Sequence, residues 1–298
     1  MDKKSFIKYI CALLLFGLNG IVASQISLAS YEIVFLRTLI GSLLLFAIFL
    51  LTKEHFHIRE NKHDLLFLIL SGIAMGTSWM FLYEAYQQIG VSMASLLYYC
   101  GPVIVMILSP LIFKEQLTAP KIAGFLIVLV GIYLVNGKAV SDGGNTWGLF
   151  CGVMSAVTYF FMVTLNKQSK CITGMENSVI QLIVSFLTLA VFVGFKQHFV
   201  ILVPSADWPW IILLGLVNTG VGCYLYFSSL SKLPVQTIAV CGYLEPLSAV
   251  VFAALLLGEK MTSLQIIGAL FIIGGAMIGE LLNKKDKGNA NLLSAKAQ

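Results

Sequence analysis

Charged side chains are scarce in this sequence. Lys, Arg, Asp and Glu make up 11% of its 298 residues and hydrophobic residues 58%, whereas an ordinary soluble domain carries roughly 25% charge. Too few polar groups remain to cover a water-facing surface, which excludes a soluble globular protein. The phosphate-cradling GxxxxGK[ST] loop is missing, and with it an intrinsic nucleotide-hydrolysing motor. No GxSxG or HExxH arrangement occurs, and no histidine falls in an apolar run, so nothing supports a membrane-embedded enzyme. Cys11, Cys100, Cys151, Cys171, Cys223 and Cys241 show no CxxC or metal-ligand spacing. Five of them lie in apolar runs and read as small packing residues. His55, His57 and His63 share one polar loop with Lys, Glu and Arg, and read as solvated rather than metal-binding. No cofactor, metal or nucleic-acid partner is indicated.

What the chain does have is apolar runs of about 18–23 residues, long enough to cross a hydrocarbon core at 1.5 Å per residue. They fall at roughly 10–23, 30–52, 65–88, 92–113, 119–136, 147–166, 177–195, 208–230, 235–257 and 262–282. Ile10 to Ala23 could pass for a signal peptide with a weak cleavage site at Ala23-Ser24. Its internal counterpart near Trp147 favours a true span. The expected fold is all-α and integral to the membrane, with ten spans and a polar, lysine-rich, disordered tail over 283–298.

The chain also repeats itself. Pro102, Glu115, Thr118, Gly124 and Gly131 recur as Pro246, Glu259, Thr262, Gly268 and Gly275, all displaced by the same 144 residues. Five matched positions at one offset indicate internal duplication, with units at 1–140 and 141–282. Lys and Arg residues set the topology. With a cytoplasmic amino terminus, fifteen fall on that side and only Lys138, Lys196 and Lys260 on the other, Arg37 lying within a span. Both termini are then inside, in the cytoplasmic membrane. Five spans per unit force the second unit to enter the bilayer upside down, so the units form two inverted five-helix repeats around a central cavity.

Polar residues inside the spans are the candidates for function, because each is expensive in lipid. Glu245 directly precedes Pro246, about 15 Å into the ninth span. It reads as a proton carrier, a counter-charge for a cationic solute, or a carboxyl satisfied by its neighbours. Arg37 is the only basic group within a span. It could pair with Glu84, bind an anion, or snorkel to the outer interface. Tyr98, Tyr99 and Tyr243 flank the repeated prolines, and with Trp79, Tyr224, Tyr226, Asn19 and Asn218 could line a cavity for an amphipathic solute. About half of that group is expected to face it. Trp147, Trp208 and Trp210 start spans and read as interfacial belt residues. Pro102 and Pro246 kink their helices, either to shape the bundle or to open backbone toward a solute. Glu115 and Glu259 read as caps or ion pairs at helix ends. Gly124, Gly131, Gly268, Gly274 and Gly275 allow close helix approach, within the chain or in a homodimer through spans five and ten.

Gly101-Pro102 through Phe113-Lys114-Glu115-Gln116-Leu117-Thr118, and Tyr243-Leu244-Glu245-Pro246 through Leu257-Gly258-Glu259-Lys260-Met261-Thr262, resemble the closing segments of the EamA-type drug/metabolite transporters. Arg37 matches an arginine of that family's second span. Phe16-Gly17-Leu18-Asn19 is similar to its first-span Trp-Gly-x-Asn, with Phe in place of Trp. The resemblance implies a basket in which spans one to four and six to nine surround the cavity while five and ten brace it. It also implies passage of amino acids or other small metabolites, often as export. The first span has no carboxylate, unlike the small multidrug antiporters of the wider superfamily, whose first span carries an essential Glu. The expected function is secondary transport of a small organic solute, with an uptake permease or exchanger as the alternative and a receptor or scaffold as a remote one. In a background with the native cysteines replaced, Lys121→Cys should label only from the cytoplasm and Ser263→Cys only from outside; labelling from one common face would overturn the mirrored topology.

Overall fold

The computed structural model describes residues 3–52, 62–113, 119–141, 145–172, 174–230, 241–242, 244–275 and 277–278. Glu115, Thr118, Tyr243, His55, His57 and the 283–298 tail lie outside the described residues. Among those described there is no β-strand. Six helices are long and apolar enough to cross a membrane, and four shorter apolar helices accompany them. Numbered in chain order, α1 spans Lys3–Ala23, α2 Ser30–Leu51 and α3 Lys62–Ile89. Then α4 runs as Val91–Tyr98 and Cys100–Phe113, followed by α5 at Ala119–Ser141. In the second half α6 is Thr146–Asn166, α7 Gly174–Gln197 and α8 Trp208–Tyr226, with α9 at Leu244–Leu256 and α10 at Ser263–Gly275.

Burial is arranged for a lipid solvent. Leu51, Phe195, Leu202 and Leu255 are exposed, whereas Ser71, Ser78, Ser155 and Ser185 are fully buried. Those serines bind helices to one another. Ser71 donates to Met162 O (2.8 Å), Ser78 to Ser155 O (2.8 Å) and Ser185 to Gly72 O (2.8 Å). Small polar residues at helix contacts are the usual adhesive where lipid removes any hydrophobic drive between helices.

Two helices break where the sequence punctuates them. At Tyr99 α4 is interrupted, three residues before Pro102; proline has no amide to offer the carbonyl four residues back. At Leu18 α1 is interrupted. A third irregularity has no proline: Leu213–Val221 in α8 is wound as a π-helix, a rare geometry that often marks functional sites. Pro246 occupies the first turn of described α9.

Carboxylates close the helix ends across the two halves. Glu259 accepts from the first two amides of α4, Val91 N (2.8 Å) and Ser92 N (3.0 Å), just after Gly90 turns the chain at φ +82°. Asp64 accepts from Lys170 N (2.8 Å) and Cys171 N (2.7 Å). Asp207 takes both the amide (2.9 Å) and hydroxyl (2.6 Å) of Ser27. Glu259 is thus a cap, as expected, but of a helix in the other half. Free amides at a helix start favour an anion, and an orphaned one is costly in lipid.

The glycines of α5 and α10 meet each other. A Cβ on Gly131 would lie 2.7 Å from Gly268 O, and one on Gly275 2.7 Å from Gly124 O. These faces are therefore occupied within the chain. Gly274, next door, has nothing within 4 Å of a Cβ. Gly275→Ala should accordingly lower the thermal midpoint of the purified protein, at a cost of about 1–3 kcal/mol from overpacking, while Gly274→Ala should leave it unchanged or slightly raised.

Candidate functional site

Arg37 on α2 organises the interior. It is 2% exposed, yet guanidinium does not lose its proton in proteins. Its Nε donates to Thr219 Oγ1 (3.0 Å) in the π-helical turn of α8, and Nη1 donates to the Tyr83 hydroxyl on α3. The guanidinium carbon lies 4.6 Å from the Trp79 ring centroid and 5.0 Å from that of Tyr83. Trp79, Tyr83 and Tyr86 stand at helical spacing on one face of α3, so a single stripe supplies both rings and the hydroxyl. The wide turn of α8 also sets Thr219, whose hydroxyl donates to Leu214 O five residues back (2.8 Å).

The expected Arg37–Glu84 pair does not form. Glu84 accepts instead from Ser30 Oγ (2.5 Å), Gln88 Nε2 (3.0 Å) and Trp147 Nε1 (3.1 Å) near the end of α3. Three neutral donors already occupy its oxygens, and Arg37 turns inward to aromatic faces. No ion pair links Arg37 to any acid among the described residues.

Beside Arg37 lies a cavity of about 30 Å³, room for one or two waters. Phe16 and Asn19 of α1, Arg37 of α2, Trp79, Leu82, Tyr83 and Tyr86 of α3, Ser95, Tyr98 and Tyr99 at the α4 break, and Glu245 and Ala249 of α9 line it. The structure thus brings together Asn19, Arg37, Trp79, Tyr98, Tyr99 and Glu245 from residues distant in sequence. Three of the five buried side-chain polar atoms lacking a hydrogen-bond partner among the described residues, Asn19 Oδ1, Ser95 Oγ and the Tyr99 hydroxyl, belong to its lining. Unpaired buried polar groups cost about 1–3 kcal/mol each, so the cavity lining is less well satisfied than the polar contacts elsewhere in the bundle.

Three expected lining residues are placed elsewhere. Asn218 donates to Leu15 O (2.8 Å), satisfying a carbonyl at the break in α1; it repairs backbone rather than facing the cavity. Tyr226 packs on Tyr9 and Phe16, and Tyr224 lies under the Lys8 ammonium at 5.5 Å. Tyr243 lies outside the described residues. Sequence reading missed Thr219, one position from Asn218, because only the π turn decides which of the two points at Arg37. Tyr83, Tyr86 and Ser95 were also missed. The Trp79–Tyr83–Tyr86 spacing on an otherwise apolar helix was the signal available for the two tyrosines.

Comparison with known proteins finds a match to the model of the EamA-like transporter family twice, over residues 4–137 and 143–279. The chain is 25% identical over 286 residues to the uncharacterized transporter YxxF of Bacillus subtilis, covering 95% of this chain and 91% of that protein. It is 26% identical over 259 residues to the threonine/homoserine exporter RhtA of Salmonella typhimurium, covering 84% and 82%. A crystal structure shares the fold at a TM-score of 0.66 and 16% identity, over 95% of this chain and 100% of the other.

Replacing Thr219 by Val leaves the buried Arg37 Nε–H without its acceptor and should destabilise the protein by about 1–3 kcal/mol. Thr219→Ser, which keeps the hydroxyl, should recover most of the loss in a thermal melt.

Proposed function

The chain belongs to the EamA-like transporter family, a multi-pass membrane protein, and from that premise we propose that it moves small organic metabolites across the cytoplasmic membrane by alternating access. The cavity carries this reading. It lies where α1–α4 meet α9, it holds one base and one acid that do not pair, and it is too small for a metabolite as it stands. A solute is admitted only when the surrounding helices separate, which is what a carrier requires and a fixed receptor pocket does not.

The two halves act as inverted five-helix repeats, with the amino and carboxyl termini both cytoplasmic. Support comes from a contact that recurs when the halves are exchanged: Gly131 with Gly268 answers Gly275 with Gly124. Halves related in this way can rock about a shared centre, one face opening as the other closes. The breaks at Tyr99 and Leu18 supply bending points beside the cavity. A homodimer through α5 and α10 would use their outward aliphatic faces, where Leu126, Leu129 and Leu270 are exposed.

The solute is an amino acid or a related metabolite, and the direction is export. RhtA, named as a threonine/homoserine exporter, supports this choice. Glu245 is the coupling group, since it is the acid in the lining of the cavity. Glu245→Gln should abolish pH-gradient-driven flux in proteoliposomes while sparing solute exchange; gradient dependence unchanged in that variant would remove Glu245 from the mechanism.

A further inference from the structure

We propose that Glu259 is the clasp of an outer gate: seated on the first amides of α4, its carboxylate holds the cavity shut on the outer side, and the cavity opens outward when it lets go. The proposal rests on the alternating-access reading and the orientation given above, and adds the device that closes one face. Helix packing divides the helices around the cavity into two groups that cut across the sequence halves. Both α3 and α4 pack on α6, whereas α1 packs on α8 and α9. The cavity lies between the groups, with Trp79, Tyr98 and Tyr99 on one wall and Phe16, Asn19 and Glu245 on the other. Asp64, at the start of α3, binds the loop after α6, and Asp207, at the start of α8, binds Ser27 after α1. Both ties stay within a group. Of these three helix-end carboxylates only Glu259, just beyond α9, reaches across to the other group, at Val91 N (2.8 Å) and Ser92 N (3.0 Å) of α4.

What Glu259 holds down is an apolar seal. One helical turn outward from the cavity-lining Ser95 stands Val91, and one turn outward from Ala249 stands Ala253. These two are buried with Ile21 of α1 in one cluster, with Tyr86, Phe252 and Leu257 packed around them. The fit leaves no slack, since a Cβ on Gly20 would lie 2.4 Å from Val91 Cγ1. A solute leaving the cavity outward meets this layer first and Glu259 above it. Apolar contact alone gives helices little net reason to stay together in lipid; charge-assisted hydrogen bonds to a helix start supply one. The clasp can also release. Glu259 is half-buried and borders a cavity of about 200 Å³ shared with Ser92, Lys260 and Gln265. It follows Gly258, whose φ of +67° turns the chain out of α9 with nothing within 4 Å of a Cβ. A freed carboxylate exchanges its two amides for water there instead of being stranded.

Access to the cavity, rather than flux, tests the clasp. Ser95→Cys is placed in the full-length protein with its native cysteines replaced. Its modification by a membrane-impermeant cationic methanethiosulfonate is then timed in right-side-out and inside-out vesicles. Alternating access predicts labelling from both sides. Adding Glu259→Ala should speed labelling from outside about tenfold or more, the factor carried by one charge-assisted hydrogen bond, without speeding it from inside. Glu259→Gln, which keeps one acceptor oxygen, should fall between and carries the test if the alanine variant does not fold. Ala249→Cys, on the opposite wall, should report the same pattern. Asp207→Ala removes a comparable two-bond tie from within one group; it should lower the thermal midpoint yet leave the outer labelling rate unchanged. Equal acceleration by Asp207→Ala, or acceleration from both faces by Glu259→Ala, would reduce Glu259 to a structural cap and overturn the proposal. Labelling from the cytoplasm alone in every variant refutes alternating access itself, whereas outer labelling indifferent to Glu259 refutes only the clasp.

Discussion

A guanidinium that keeps its proton has been folded into the middle of a bundle whose outside is hydrocarbon. Much of the interior answers to that fact. Arg37 on α2 is met by the stripe of Trp79 and Tyr83 on α3 and by Thr219 on α8, so one side chain draws three helices to a common point. Thr219 reaches it from a π-helical turn, and the Tyr83 hydroxyl is held by the same charge. These contacts compensate the cation with dipoles and ring faces instead of an acid. That leaves its charge available to the space beside it.

The periphery is organised on a different principle. Asp64, Asp207 and Glu259 each accept two donors at a helix end or loop belonging to the other half. The ends of the bundle are therefore tied, while unsatisfied hydroxyl and amide oxygens collect around the central cavity. Strong bonds at the rim and weak satisfaction at the core let a bundle rearrange around its centre without coming apart.

Much of the architecture is legible in the sequence because it is written in local chemistry. The scarcity of charge, the length of the apolar runs and the paired glycines announce a membrane bundle, and α5 and α10 do meet at Gly131 and Gly275. Half of the site is legible as well: polar residues stranded in apolar runs, Arg37, Asn19, Trp79 and Glu245, are those that converge on the cavity. What cannot be read is who faces whom across the chain. Glu84 lies at a plausible depth for Arg37 but is already taken by Ser30, Gln88 and Trp147. A run of apolar residues gives no hint of a π turn, so Asn218 rather than Thr219 reads as the lining residue. The cross-half caps are equally invisible, since each carboxylate sits near one end of its own helix while its partners lie over a hundred residues away.

The crossing of α5 over α10 has a consequence for the history of the chain. The carbonyl that limits Gly131 belongs to Gly268, and the one that limits Gly275 belongs to Gly124, so an exchange of halves maps the contact onto itself. A bulkier residue acquired on one helix is refused by backbone of the other, and no side-chain change there can make room. The glycines of α5 and α10 are thus held in step at this crossing by steric necessity, whatever changes around them.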